Sequence, residues 1–174
     1  MSWSRSLVLL AAAALLMGCG FRPLYGSGDA AETENELAAI QVRPIDNRIG
    51  QILHNHLIDL LTPRGRPRHV KYVLDVRLKE TIARLGVQKS ELATRANLRI
   101  TAKFMLLSPS GSMLFNGQSV TISSFNILGS DDLATLVAEK DARARAVRQI
   151  ASDLRTRIAA FFLRRQPRKT LNKQ

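Results

Sequence analysis

From Asp131 to Gln166 the chain contains neither glycine nor proline, and this uninterrupted run limits the available folds more than any other feature. Within it Leu133, Val137, Lys140, Ala144, Val147, Ala151, Leu154, Ile158 and Phe161 recur at steps of four and three, the spacing of one helix face. Only Lys140 interrupts the apolar line. Ser130 or Asp131 reads as the cap, and Pro167 ends the segment. At about 1.5 Å per residue the helix is about 50 Å long. A small sheet cannot cover that length, so part of the helix is expected to project towards a partner. The apolar line spans about four heptads and several of its positions are alanine, so packing across a sheet is expected over a coiled coil.

The sheet is legible upstream. From His69 to Lys79, Val70, Tyr72, Leu74, Val76 and Leu78 alternate with Lys71, Val73, Asp75, Arg77 and Lys79. From Leu92 to Leu106 the inward set is Leu92, Thr94, Ala96, Leu98, Ile100, Ala102, Phe104 and Leu106. The outward set is Arg95, Asn97, Arg99, Thr101 and Lys103. Ser108-Pro109-Ser110-Gly111 reads as a turn, and Ser112 to Phe125 as a third strand, giving an antiparallel meander with one buried face. Before it, Leu37 to Pro44 is a short strand candidate with Ile40 and Val42 inward. Asp46 then caps a helix carrying Ile49, Ile52, Leu53, His56, Leu57 and Leu60, closed by Pro63. Strand, helix, three-stranded meander and long helix predict an α+β two-layer sandwich: about four strands with two helices on one face.

This pattern leaves little room for catalysis. The chain has three histidines and one cysteine, and neither Gly-x-Ser-x-Gly nor His-Glu-x-x-His occurs. His54 and His56 stand two apart on a helix, about 200 degrees around it, so they do not share a metal ion; His56 is expected to pack along the apolar face. The acidic residues do not form a converging pair. No catalytic residue and no metal site is expected, and an envelope enzyme such as a wall hydrolase is disfavoured.

The N-terminus sets the compartment. Met1 to Arg5 is followed by an uncharged run from Leu7 to Met17, too short to span a bilayer but of the length of a secretory signal. It ends in Leu16-Met17-Gly18-Cys19, which resembles a bacterial lipobox and carries the only cysteine. The resemblance implies cleavage before Cys19, diacylglyceryl transfer to its sulfur and acylation of the new amine. The alternative, a secreted protein with a stray cysteine, would export an unpaired thiol. Three acyl chains anchor a protein effectively permanently, since each buried methylene adds about 0.8 kcal/mol. Gly20 follows the cysteine where an aspartate would resemble an inner-membrane retention signal, which favours the outer membrane. Residues 19–36 read as a flexible tether, with Phe21, Leu24 and Tyr25 available to the interface. Residues 37–165 read as a single domain and 166–174 as a basic disordered tail.

Removing residues 1–18 from the 174 leaves 156, enough for one domain with a core. Of 26 basic residues only Arg5 leaves with the signal, so 25 face 14 acidic ones, a charge of +11. Such a charge in the cytosol would suggest nucleic acid; in an envelope the polyanions are phosphorylated lipids, above all lipopolysaccharide. No nucleic-acid partner and no cofactor besides the lipid on Cys19 are expected.

Three segments carry a resemblance: Gly18-Cys19-Gly20-Phe21-Arg22-Pro23-Leu24-Tyr25; Ala93-Thr94-Arg95-Ala96-Asn97-Leu98-Arg99; and Ala138-Glu139-Lys140-Asp141-Ala142-Arg143-Ala144-Arg145-Ala146, with Ile150 to Phe162 behind it. With the element order, they make the chain similar to the lipopolysaccharide-assembly lipoprotein family LptE, in its alphaproteobacterial form. Gly129-Ser130-Asp131-Asp132 departs from it by lacking an aromatic residue. The resemblance implies a plug within the outer-membrane β-barrel LptD, assisting its assembly and the passage of lipopolysaccharide to the cell surface. The anchored domain would then face the periplasm or the barrel lumen. A lumen is polar and water-filled, so such a plug needs a charged exterior. Arg95, Arg99 and Lys103 share a face of one strand, with Arg77 and Lys79 expected on its neighbour. Guanidinium groups grip phosphate bidentately, so these five are the candidate phosphate ligands. The alternatives are a merely solubilising face and, for the whole chain, an accessory lipoprotein of another envelope lipid-transport system.

Overall fold

The computed structural model describes residues 28–65, 67, 69–85, 94–127 and 131–165. Cys19, Phe21, Leu24, Tyr25, Leu92, Ser130 and the tail 166–174 lie outside them. The elements are α1 (Gly28–Ala38), β1 (Ile40–Val42), α2 (Asn47–Leu61), β2 (Tyr72–Leu85), β3 (Thr94–Leu107), β4 (Met113–Ile127) and α3 (Asp132–Arg165). The four strands form one sheet in the order β1-β2-β3-β4. β1 runs parallel to β2, Ile40 opposite Tyr72, while β2–β3 and β3–β4 are antiparallel. The expected two-layer α+β sandwich is what forms, with a third helix added.

β3 organises the packing. Ala96, Leu98, Ile100, Ala102, Phe104 and Leu106 are each at most 1% exposed, so its even positions all enter the core. Leu74 and Val76 of β2 join them, and α3 packs against β4, β3 and α2. From α2 come Leu53, Leu57 and Leu61; from α3, Ala142, Ala146, Val147, Ile150, Ala151, Leu154, Ile158, Ala159 and Phe162. Gly50 lets α2 approach its own leading loop: a Cβ there would stand 2.7 Å from the Ile45 Cγ2 atom.

Several boundaries differ from those the sequence suggests, each for an identifiable reason. The first strand is only Ile40–Val42, because Leu37 belongs to α1. β2 runs on past Lys79 to Leu85: Glu80 breaks the apolar alternation, but Arg143 of α3 meets it at 2.8 Å. Asp46 occupies the N-cap position of α2 without a side-chain cap bond, whereas the Asp131 carboxylate does cap α3, accepting from the Ala134 amide at 2.8 Å. On α3 the apolar line holds from Val147 to Ile158. Further back Leu133 is 70% and Val137 53% exposed, and the buried face is Ala142 and Ala146. Leu133 and Val137 lie on the first turns, outside the part of the helix that the core covers.

Residues 28–36, which the sequence assigns to the tether, lie in α1. Little of α1 is apolar, and it is held by polar contacts: Arg155 reaches Glu34, and Glu36 accepts from the Tyr72 hydroxyl at 2.7 Å and the Lys71 ammonium at 2.9 Å. Burial pushes the Glu36 pKa up, but the bonds from Tyr72 and Lys71 and the charges of Lys71 and Arg165 outweigh it and hold the carboxyl below the usual range. Burial, together with the Glu36 bond and charge, raises the Tyr72 phenol to about 12. Glu36 is therefore expected to stabilise α1 above the ordinary glutamate range and to lose that effect as pH falls through its lowered pKa. Tyr72 contributes below pH 10 and loses its share as pH rises towards 12. Spectrophotometric titration should find one of the two tyrosines near 12, shifting towards 10 in Glu36→Gln. An unshifted phenol in that variant would contradict the clasp.

Candidate anion-binding face

Because β3 commits its even positions to the core, its odd positions stand on the other face of the sheet, which no helix among the described residues covers. Arg95, Arg99 and Lys103 are all exposed there. The register brings the two predicted β2 cations alongside: Arg77 lies directly opposite Lys103, and Lys79 opposite Thr101, between the levels of Lys103 and Arg99. Directly opposed Cα atoms are about 4.5–5.5 Å apart, so Arg77 and Lys103 form the densest part of the strip. Arg99 faces Thr81, and Arg95 faces Leu85 at the far end, about 27 Å from Lys103 along the strand. The structure thus groups Arg77, Lys79, Lys103 and Arg99 closely and leaves Arg95 as an outlier.

None of the five forms an ion pair with another described residue. On this face the only acid among the described strand residues is Asp75, and Arg43 occupies it at 3.0 Å. The remaining acids near the sheet are engaged on the helical side, Glu80 by Arg143 and Asp153 by Arg157. Burial raises the Asp153 pKa, but bonds from Arg157 and Ser119 and the Arg157 charge bring the net shift below its ordinary value. Among the described residues the positive charge of the open face is therefore left uncompensated: bases outnumber acids 26 to 14 in the whole chain, and the acids near the sheet are already paired elsewhere.

Sequence reasoning missed the flank of this site. A shallow hollow of about 490 Å³ opens between Arg77 and Lys103, floored by Phe104 and Met105 and walled by Asn116, Gly117 and Gln118 of β4. Its polar donors Asn116 and Gln118 stand opposite Met105 and Lys103, a register that follows from the Ser108–Gly111 turn but is set by the one irregularity at Leu106/Leu107. Further along β4, Val120 and Ile122 present apolar side chains beside the cations, 44% and 50% exposed. Cationic, amide and apolar groups on one face are what a phosphorylated amphiphile requires. Among the described residues no group of histidines, cysteines and acids could hold a metal; His54 instead turns its Nδ1 to the Arg43 carbonyl at 3.1 Å.

Like charges directly opposite in a sheet destabilise it by roughly 0.2–1 kcal/mol. Lys103→Glu, which places an acid across from Arg77, should therefore raise the urea midpoint of the ligand-free protein by up to about 1 kcal/mol in unfolding free energy. A lowered midpoint would show that the pair is not in conflict.

The family model for LptE, described as lipopolysaccharide-assembly, matches residues 37–158, well over half of the chain. No curated protein matches. Among solved structures, a Caulobacter crescentus CB15 protein described as a lipoprotein superposes with a TM-score of 0.62 at 20% identity. That match covers 76% of this chain and 96% of the other. A minor lipoprotein from Acinetobacter baumannii gives a TM-score of 0.55 at 18% identity, covering 70% and 91%. At such identities the likeness is one of fold. Among the described residues no helix is long and apolar enough to cross a membrane. The family match is decisive: the chain belongs to the LptE family of lipopolysaccharide-assembly proteins.

Proposed function

We propose, with LptE-family membership as the premise, that this protein is an outer-membrane lipoprotein anchored through Cys19. Its domain plugs and helps to assemble an LptD-type β-barrel and binds lipopolysaccharide on its way to the cell surface. The observation that carries the binding part is the strip of Arg77, Lys79, Lys103 and Arg99, extended by Arg95, on a face where no described helix lies over it and no described acid pairs with it. Lipopolysaccharide brings phosphates to such cations and acyl chains to such neighbours as Val120 and Ile122. Arginine offers two parallel donors to each phosphate, and a charge-assisted bond contributes roughly 1.5–3 kcal/mol. The helical face plays a different part: it supplies the stability that lets the other face carry unpaired charge.

The anchoring follows from Leu16-Met17-Gly18-Cys19, the lipobox-like end of an uncharged run. Once acylated there, a domain beginning at α1 hangs from at most nine residues, about 30 Å of extended chain. That tether keeps the plug beside the membrane that holds the barrel.

The binding role is tested with Arg95→Glu combined with Arg99→Glu. Both side chains are exposed, so circular dichroism and melting should be unchanged while affinity for purified lipopolysaccharide falls at least tenfold, that is by at least about 1.4 kcal/mol. Unchanged affinity in the folded double variant would dismiss the strip as a ligand site.

A further inference from the structure

Among the described residues the sheet has two free edges, and the chain treats them differently. β1 accompanies β2 only from Tyr72 to Leu74, so β2 is unpaired on that side from Asp75 onwards. This stretch carries Asp75, Arg77, Lys79, Glu80 and Arg84. Charged side chains on an edge are the usual protection against a strange strand. β4 is the opposite edge, 15 residues long and about 50 Å in extent. Between Met113 and Ile127 it has no charged residue and no proline, in a chain of which 23% is charged.

Nor is the β4 edge blunted by geometry. Its pairing with β3 is unbroken from Ile127 to Phe115, the single irregularity lying beyond that at Leu106/Leu107. In an antiparallel ladder every second residue of an edge strand turns its N–H and C=O outwards. Among the described residues no turn, loop or helix backbone hydrogen-bonds to β4. The side chains also suit a neighbour: Val120 and Ile122 offer exposed apolar surface on the open face, where cross-strand contacts would form.

We propose that the β4 edge receives an extended segment of a second protein as a fifth strand, and that this segment is neutral to acidic. Main-chain hydrogen bonds supply the attachment and alternate side chains the selectivity. The charge preference follows from placement. A fifth strand lies two strand spacings, about 10 Å, from the row of Arg95, Arg99 and Lys103, little more than the roughly 8 Å Debye length at physiological salt, so the attraction is reduced but not abolished. A second copy of this chain is the wrong occupant. Antiparallel β4–β4 pairing would set both basic faces on the same side of one continuous sheet, joining two chains that each carry +11 once residues 1–18 are removed (25 basic against 14 acidic). The proposal holds whichever envelope protein supplies the segment, so it stands or falls separately from the barrel reading above.

The test places a photo-crosslinking amino acid at Gln118, Val120 or Ile122 of the full-length protein in its native cells, with Thr81 on the guarded edge as control. Crosslinked peptides are mapped by mass spectrometry. The three β4 positions should reach one continuous segment of a different protein, the contact advancing by two residues for each two-residue step, and Thr81 should not reach that segment. Placing acids on this edge with Val120→Glu and Ile122→Glu, which repel a neutral-to-acidic strand and oppose its insertion, should leave the fold intact by circular dichroism. The crosslink from Gln118 should then fall at least tenfold. Crosslinks to another copy of the chain, to lipid alone, to scattered sites without a steady advance, or to no protein at all would overturn the proposal.

Discussion

The structure depends above all on the one-sided burial of β3. Its six even positions from Ala96 to Leu106 are shut away completely, and its odd positions carry Arg95, Arg99 and Lys103. A slip of one residue in its pairing would exchange the two faces. Burying even one of those cations without a partner costs several kcal/mol, so the register that builds the core is the register that displays the charge. The proposed ligand face is therefore a consequence of how the protein folds, not a decoration on it.

The helices complete that division. α3 and α2 cover one side of the sheet with leucine, isoleucine and alanine, and the polar residues that meet them there are answered: Glu80 by Arg143, and Asp153 by Arg157. Among the described residues the open side receives no such compensation beyond the Arg43–Asp75 pair. Uncompensated charge on a surface of this kind attracts a polyanion at the cost of some self-repulsion. The first turns of α3, with Leu133, Leu136 and Val137 exposed, extend the molecule beyond the covered core, as the length of the glycine- and proline-free run implies.

What the sequence made legible was what its periodicities encode. The two-residue alternation identified the core and the charged face of β3 without alignment, and paired Arg77 and Lys79 with it on the neighbouring strand. The four-and-three spacing located α3. Periodicity failed where tertiary partners override it. β2 continues through Glu80 because Arg143 lies on another element, and α1 forms from a stretch rich in acids and alanine because Arg155, Lys71 and Tyr72 grip its glutamates. The seam of α3 was misplaced at its start because the first turns, with Leu133 and Val137 exposed, reach past the core that buries the rest of the helix. The flank of the site on β4 was invisible for a related reason: Asn116, Gln118, Val120 and Ile122 are unremarkable residues until the register sets them beside the cations.

The central claim is that this LptE-family domain works inside a barrel. The most direct measurement is affinity purification of the tagged protein from native membranes in mild detergent, with quantitative mass spectrometry of what accompanies it. The account predicts a large outer-membrane β-barrel at one-to-one stoichiometry. Recovery of an inner-membrane transporter instead, or of no barrel, would contradict it and move the protein to another lipid-transport system.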